Sequence, residues 1–245
     1  MLALRPMCWT GVRGDSEGMT TSRLSTRTSR RTVPRSYDAL IATGLIILTL
    51  IPSAADAFRV SEIATGAPAS ADNARFLEMP LPIVLHIVAA LVYSGVGAFQ
   101  FLPGLRARHI GWHRFAGRAL LVPAGAVVAL SGLWMTAFYD VPPIDGVALQ
   151  ISRYVVGILM LAFLVLGVRA VLRRDIGAHR GRMIRAYALA MGAGTQVLTS
   201  GPFAILFGTP DEFWRLVQMD AGWLINIIVA EAIIRRGRRH VRSVA

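Results

Sequence analysis

Three histidines stand where imidazole chemistry is available. His86 is followed by Ile87, Val88, Ala89 and Ala90 and so lies inside an apolar run. His113 and His179 lie in two basic connections, each directly before an arginine, Arg114 and Arg180. Neutral imidazole is the commonest metal ligand and a usual axial ligand of haem iron. Two imidazoles on facing helices would supply both axial positions of a b-type haem, with Arg114 and Arg180 pairing with its propionates. His113 and His179 count as metal ligands in that reading only. The same residues suit lipid phosphates with no cofactor at all, and both readings stand on the residues alone. His86 needs a partner inside the bundle, because a polar ring within an apolar helix is costly unless satisfied. A neighbouring carbonyl or Ser94 would make it structural; a cofactor would make it functional.

The spacing limits any haem arrangement. Two haems stacked across a bilayer draw paired histidines from one helix about four turns apart, roughly 14 residues at the helical rise. Fourteen positions after His86 stands Gln100, and fourteen after His179 stands Ala193. A haem here is therefore single and near the basic side, or His86 uses a thioether such as Met135 or Met191. Those methionines are equally expected as gap-filling core residues. The single cysteine, Cys8, excludes a disulfide framework or a cysteine metal site within one chain. There is no phosphate loop, HExxH zinc pattern or nucleophile elbow, so the sequence leaves open whether the protein is an enzyme.

The elements that must position these residues are membrane helices. Of 245 residues, 54% are apolar and 16% charged, a balance outside that of soluble domains. A crossing needs roughly 20 mostly apolar residues. Segments from about Ala39 to Ala55, Leu81 to Leu102, Ala119 to Phe138, Leu149 to Val168, Ala186 to Leu206 and Trp214 to Ile234 meet that demand, the last interrupted by Asp220 and Glu231. The fold class is all-α, a polytopic bundle of about six transmembrane helices over residues 37–235. A disordered Arg-rich tail occupies residues 1–36 and a basic tail residues 236–245, and Met19 is an alternative start.

Every one of the 26 basic side chains is arginine, and the net charge is +12. These arginines gather at the ends of apolar runs and form no stripe on a polar fold, which points to anionic lipid headgroups and away from nucleic acid. Basic residues near helix ends stay in the cytoplasm. The tail before Asp38, the connections Arg106 to Arg118 and Arg169 to Arg185, and the end after Ile234 hold 22 of the 26 arginines. The expected topology thus has both ends in the cytoplasm of a bacterial inner membrane. A rival for the first segment is a cleaved twin-arginine signal, with Ser29, Arg30 and Arg31 ahead of an apolar stretch ending in Ala55, Asp56 and Ala57.

The two basic connections also resemble each other. Gly104-Leu105-Arg106-Ala107 matches Gly167-Val168-Arg169-Ala170 at an offset of 63, and Arg108-His109-Ile110-Gly111-Trp112-His113-Arg114 matches Arg174-Asp175-Ile176-Gly177-Ala178-His179-Arg180 at 66. Helices two and three are thus expected to duplicate helices four and five about an axis along the membrane normal, with His113 and His179 in equivalent places. Similar Arg-rich loops arising independently would leave the same trace. Arg153 is expected to snorkel to the interface, and Glu231 to pair with Arg235 four residues on. Gly95, Gly97, Gly192, Ala193 and Gly194 are expected to permit close helix packing. Trp112, Trp134, Trp214 and Trp223 fall toward helix ends, as an aromatic belt requires.

His86, Gly97, Phe99, Gln100, Phe101, Arg106, His113, Arg114, Gly117, Arg118, His179, Arg180, Met183 and Arg185 together resemble the bacterial membrane family designated domain of unknown function 2306. The resemblance spans roughly residues 40 to 235. An aromatic residue usually precedes the methionine of the second basic loop in that family, where this chain has Arg182. The resemblance implies a multi-pass membrane protein and names no activity. Two functional readings follow: a membrane protein whose histidines bind a b-type haem or move protons or electrons, and a non-enzymatic transporter or scaffold that binds anionic lipid or a protein partner.

Overall fold

The computed structural model describes the backbone of residues 35–242 and the side chains of residues 39–237. The expectations for Cys8, for a start at Met19, for the twin-arginine pattern and for a disordered segment up to residue 34 lie outside the described residues.

Hydrophobic runs of this length satisfy their backbone polar groups internally, and they do so as helices. The long elements are α1 (Arg35–Thr65), α3 (Pro80–Gln100), α6 (Val122–Phe138), α7 (Gly146–Leu172), α8 (Ile176–Ala190), α9 (Gly192–Phe207) and α10 (Glu212–Arg242). Three short ones lie between them: α2 (Ala74–Glu78), α4 (Pro103–Arg108) and α5 (Ile110–Ala116). Among the described residues there is no strand, and six helical stretches are long and apolar enough to cross a membrane. They expose large apolar side chains outward, Leu172, Leu198, Ile205 and Leu224 among them, as lipid contact requires.

The helices run past the expected boundaries: α1 continues from Ala55 to Thr65 at the non-basic end, and others continue into the basic connections. Ile110 to Phe138 is one unbroken crossing, α7 reaches Leu172, and α10 runs on through the presumed basic tail to Arg242. Arginine is a good helix former and its long stem reaches the interface, so the arginines themselves do not stop a helix. The second basic connection shrinks to a turn at Arg173 to Asp175. There Asp175 N–H closes on Ala170 O at 2.9 Å, Arg174 takes a left-handed φ of 61°, and the Asp175 carboxylate caps α8 by accepting from Ala178 N–H at 2.9 Å. The first connection behaves differently after Ala116. Pro123 has no N–H and would crowd the carbonyl of Ala119, and the chain widens into a π turn, Gly117–Leu121, just before it.

Consecutive helices pack as hairpins, α3 with α6, α7 with α8 and α9 with α10, while α1 lies against α3 and α9. Helix α8 is the central element and touches α3, α6, α7, α9 and α10. Its Tyr187 meets Tyr93 and Phe101 and donates its hydroxyl to Ser94 O at 2.9 Å. Gly97 is required opposite that ring, since a Cβ there would overlap Tyr187. Gly192 likewise receives Trp223 and Gly194 receives the backbone of Leu48, whereas Gly95 faces open space and packs nothing. Arg185 makes a bidentate pair with Glu231, its second contact at 3.0 Å, and joins α8 to α10. Glu231, expected to pair with Arg235 four residues on, is engaged by Arg185 from another helix.

Candidate functional site

The bundle has two chemically distinct ends. The basic end carries α4, α5 and the turn between α7 and α8; the other carries α2, the turn before α7 and the start of α10.

At the basic end, His113 and His179 each occupy the fourth position of a helix, α5 and α8. They lie within electrostatic reach of each other, and the charged neighbours acting on His113 are Arg106, His179 and Arg114, all basic. Arg180 also lies within reach of Arg106 and packs against α10 at Gly237. Arg114 is exposed. The two imidazoles differ in their bonding. His179 Nδ1 lies 3.0 Å from Gly167 O. A carbonyl only accepts, so Nδ1 carries the proton and Nε2 keeps its lone pair. The matching carbonyl on the first connection, Gly104 O, is taken by Arg108 Nε at 3.1 Å. His113 Nδ1 is buried with no partner. Leaving a buried polar atom unpaired costs about 1–3 kcal/mol, so this nitrogen marks a place where a ligand would be favoured. Arg182, which stands where an aromatic was expected, donates to Leu166 O at 2.8 Å and covers the end of α7.

His86 belongs to neither of these. It lies near the start of α3, six residues in from Pro80, and its Nδ1 is 3.0 Å from Ser131 Oγ on α6. Ser131 and His113 are eighteen residues apart along one continuous crossing, about 27 Å at the helical rise. Of the two partners expected for His86, a neighbouring carbonyl and Ser94, the Val128 carbonyl lies within reach beside Ser131, whereas Ser94 bonds Ala90 O within its own helix at 2.7 Å. Ser131 gives its proton to Val127 O at 2.5 Å. The serine oxygen accordingly accepts from His86 Nδ1–H, and Nε2 is left as a free acceptor.

That ring lines a cavity of about 390 Å³. Met135, Met160, Gln196 and Trp223 form part of its wall, while Arg75, Tyr139, Asp145 and Arg153 stand toward its rim. Met191, the other thioether considered for His86, is buried in the central core instead.

The rim is a charge network that sequence reasoning missed. Asp145 is 5% exposed and accepts from Arg153 at 2.6 Å through one oxygen and from Arg215 at 3.0 Å through the other. Arg153 therefore ends on a carboxylate, where snorkelling to the interface was expected. The available signal was that Arg215 and Arg153 are lone cations in acid-bearing surroundings. Arg75 lies within reach of Asp145 and stacks on Phe76, yet it has no hydrogen bond or ion pair among the described residues. Burial pushes its guanidinium below the usual value, with Asp145 pulling the other way, and an arginine so placed stays charged at neutral pH. Burial likewise raises the Tyr139 phenol, whose hydroxyl donates to Met79 O at 2.6 Å.

Residues 83–234 match the family model described as predicted membrane protein, DUF2306. No curated protein and no solved structure matches the chain.

Proposed function

The chain belongs to the DUF2306 family of predicted membrane proteins, and from that premise we propose that it is a bacterial inner-membrane protein whose basic end binds a b-type haem between His113 and His179. The observation that carries this reading is the pair of imidazoles within mutual electrostatic reach, one with Nδ1–H tied to a backbone carbonyl and the other with a buried nitrogen unclaimed. An imidazole whose Nδ1 donates to a carbonyl presents Nε2 in the state an axial ligand needs. Arg106, Arg114 and Arg180 supply cations for two propionates. When bound, haem supplies one-electron transfer; the protein's own part is to hold both rings and neutralise the carboxylates. His86 stands apart from this site as a proton acceptor in the other half of the bundle. A reduced-minus-oxidised absorbance spectrum of purified protein, expressed with ample haem, tests the reading. A sharp α band that disappears in His179→Ala supports it, and a haem-free protein refutes it.

A second reading is favoured by the basic neighbours of His113 themselves: the cluster binds anionic lipid headgroups without a cofactor, as a transporter or scaffold would. It expects retention of anionic lipid through purification in the absence of the α band. Both readings place the basic end in the cytoplasm. Reporter fusions after Ala245 and within residues 64–73 should report cytoplasm and periplasm, and finding both on one side refutes the orientation.

A further inference from the structure

The cavity beneath Asp145 is independent of the basic end, and its lining describes a ligand. We propose that it binds a small amphipathic anion, a carboxylate head at Arg75 and an apolar body reaching toward His86. Its volume of about 390 Å³ falls in the lower part of the range for small-molecule sites. Its wall is mostly apolar, from Ile83 and Val128 to Met160 and Leu189, with few polar groups among them. Such a lining takes a hydrocarbon body and uses its polar groups for orientation.

The head follows from the charge accounting at the rim. Asp145 brings one negative charge to three cations, hydrogen-bonded to Arg153 and Arg215 and only within electrostatic reach of Arg75, and Asp72 acts on Arg75 more weakly still, so the rim keeps a surplus of positive charge. The other acid lining the cavity, Asp140, is exposed and makes no hydrogen bond to Arg75. Glu62 is engaged by Arg59, the second cation beside the Phe76 ring. Arg75 therefore keeps its forked donors free at the entrance of an apolar space. Guanidinium geometry matches a carboxylate through two parallel hydrogen bonds. A cationic head would meet Arg75 and Arg153 with like charge, and a neutral head would leave those donors unused. Deeper in, the His86 ring lines the cavity, and its Nε2, left as an acceptor when Nδ1 donates to Ser131, is suited to a hydroxyl on the ligand body.

The test uses the full chain in nanodiscs of phosphatidylcholine, with calorimetric titration of octanoate, octanol and octyltrimethylammonium against empty discs. Octanoate should bind at one site per chain, at least about tenfold more tightly than octanol, as one charge-assisted pair supplies. Arg75→Gln should weaken octanoate binding by about tenfold or more and leave octanol unchanged, with a thermal midpoint lowered only as far as the loss of its stacking on Phe76 requires. Ala193→Phe, which places a ring in the cavity, should abolish both. Adding phosphatidylglycerol identifies the source of the anion. Competition assigns the site to a lipid anion, and its absence assigns it to a free carboxylate; either result keeps the site. Equal affinity for octanoate and octanol, tighter binding of the cationic probe, or wild-type affinity in Arg75→Gln overturns the proposal.

Discussion

The two ends of this bundle solve opposite electrostatic problems. At the end bearing α2 and the start of α10, cations converge on a buried carboxylate, and Asp145 ties α7 to α10 through Arg153 and Arg215. At the basic end, Arg106, Arg114, Arg180 and two imidazoles gather, and the charged groups acting on His113 are all of one sign. The first arrangement still leaves Arg75 without a hydrogen bond or ion pair among the described residues, and Gln218 Nε2 and Asp220 Oδ1 on α10 are buried without a partner. The second has a buried imidazole nitrogen, His113 Nδ1, without a partner among basic neighbours. One end carries a shared carboxylate above a cavity, and the other a cluster of cations around two imidazoles.

The comparison is most easily broken at Asp145. Removing one member of a buried, hydrogen-bonded charge group leaves the others uncompensated, at a cost of about 3–5 kcal/mol. Arg153 and Arg215 retain 26% and 31% side-chain exposure, so solvent offsets part of that cost. Asp145→Asn is expected to destabilise the protein by about 3 kcal/mol, read as a drop in thermal midpoint in detergent. A second substitution, Arg215→Met, should recover part of the loss by removing one stranded cation. A shift no larger than that of an exposed ion pair would mean that the rim does not hold α7 to α10.

A smaller effect is expected at the floor of the cavity. Ser131→Ala removes the acceptor of His86 Nδ1–H, while the Val128 carbonyl remains within reach to take the proton. The cost should be about 1 kcal/mol, at the lower end for a buried polar group that finds a substitute. Nitrogen NMR of selectively labelled His86 should show an Nδ1-protonated ring in the wild type and a mixture of tautomers in the variant. A wild-type ring protonated at Nε2 would contradict the free acceptor assigned here to the cavity.

The six long apolar helices were legible because hydropathy reports directly on runs long enough to cross a membrane. What the sequence hid was pairing between helices. Ser131 is 45 positions from His86, and Arg215 is 70 from Asp145. Neither distance has a periodic signature, since both depend on which helices the bundle makes neighbours. Local rules accordingly offered Ser94 as one partner for His86 and Arg235 for Glu231, each on the same helix, where the bundle supplies Ser131 and Arg185 from neighbouring helices. The basic connections were misjudged as loops for a related reason. Arginine signals the membrane boundary clearly and the end of a helix not at all. Gly97 opposite Tyr187, by contrast, was readable as a packing position, because small residues between apolar helices have few other uses.

The smallest expected change sharpens the comparison most. Arg106 has no side-chain hydrogen bond or ion pair among the described residues, and its charged neighbours include His113 and Arg180. Like charges on adjacent helical positions destabilise by a few tenths of a kcal/mol. Arg106→Gln should therefore leave stability within about 0.5 kcal/mol of wild type, or slightly above it, when measured in zwitterionic lipid. The same substitution should matter once an anion is supplied. A ligand that binds only the folded protein raises its midpoint by mass action, so the stabilisation by anionic lipid, or by haem, measures how well the cluster holds it. Wild type should gain more from the anion than Arg106→Gln does, and the difference should shrink with salt, because screening weakens exposed charges first. If Arg106→Gln instead costs as much as Asp145→Asn in zwitterionic lipid, the cluster is already neutralised within the chain and the two ends are not opposites.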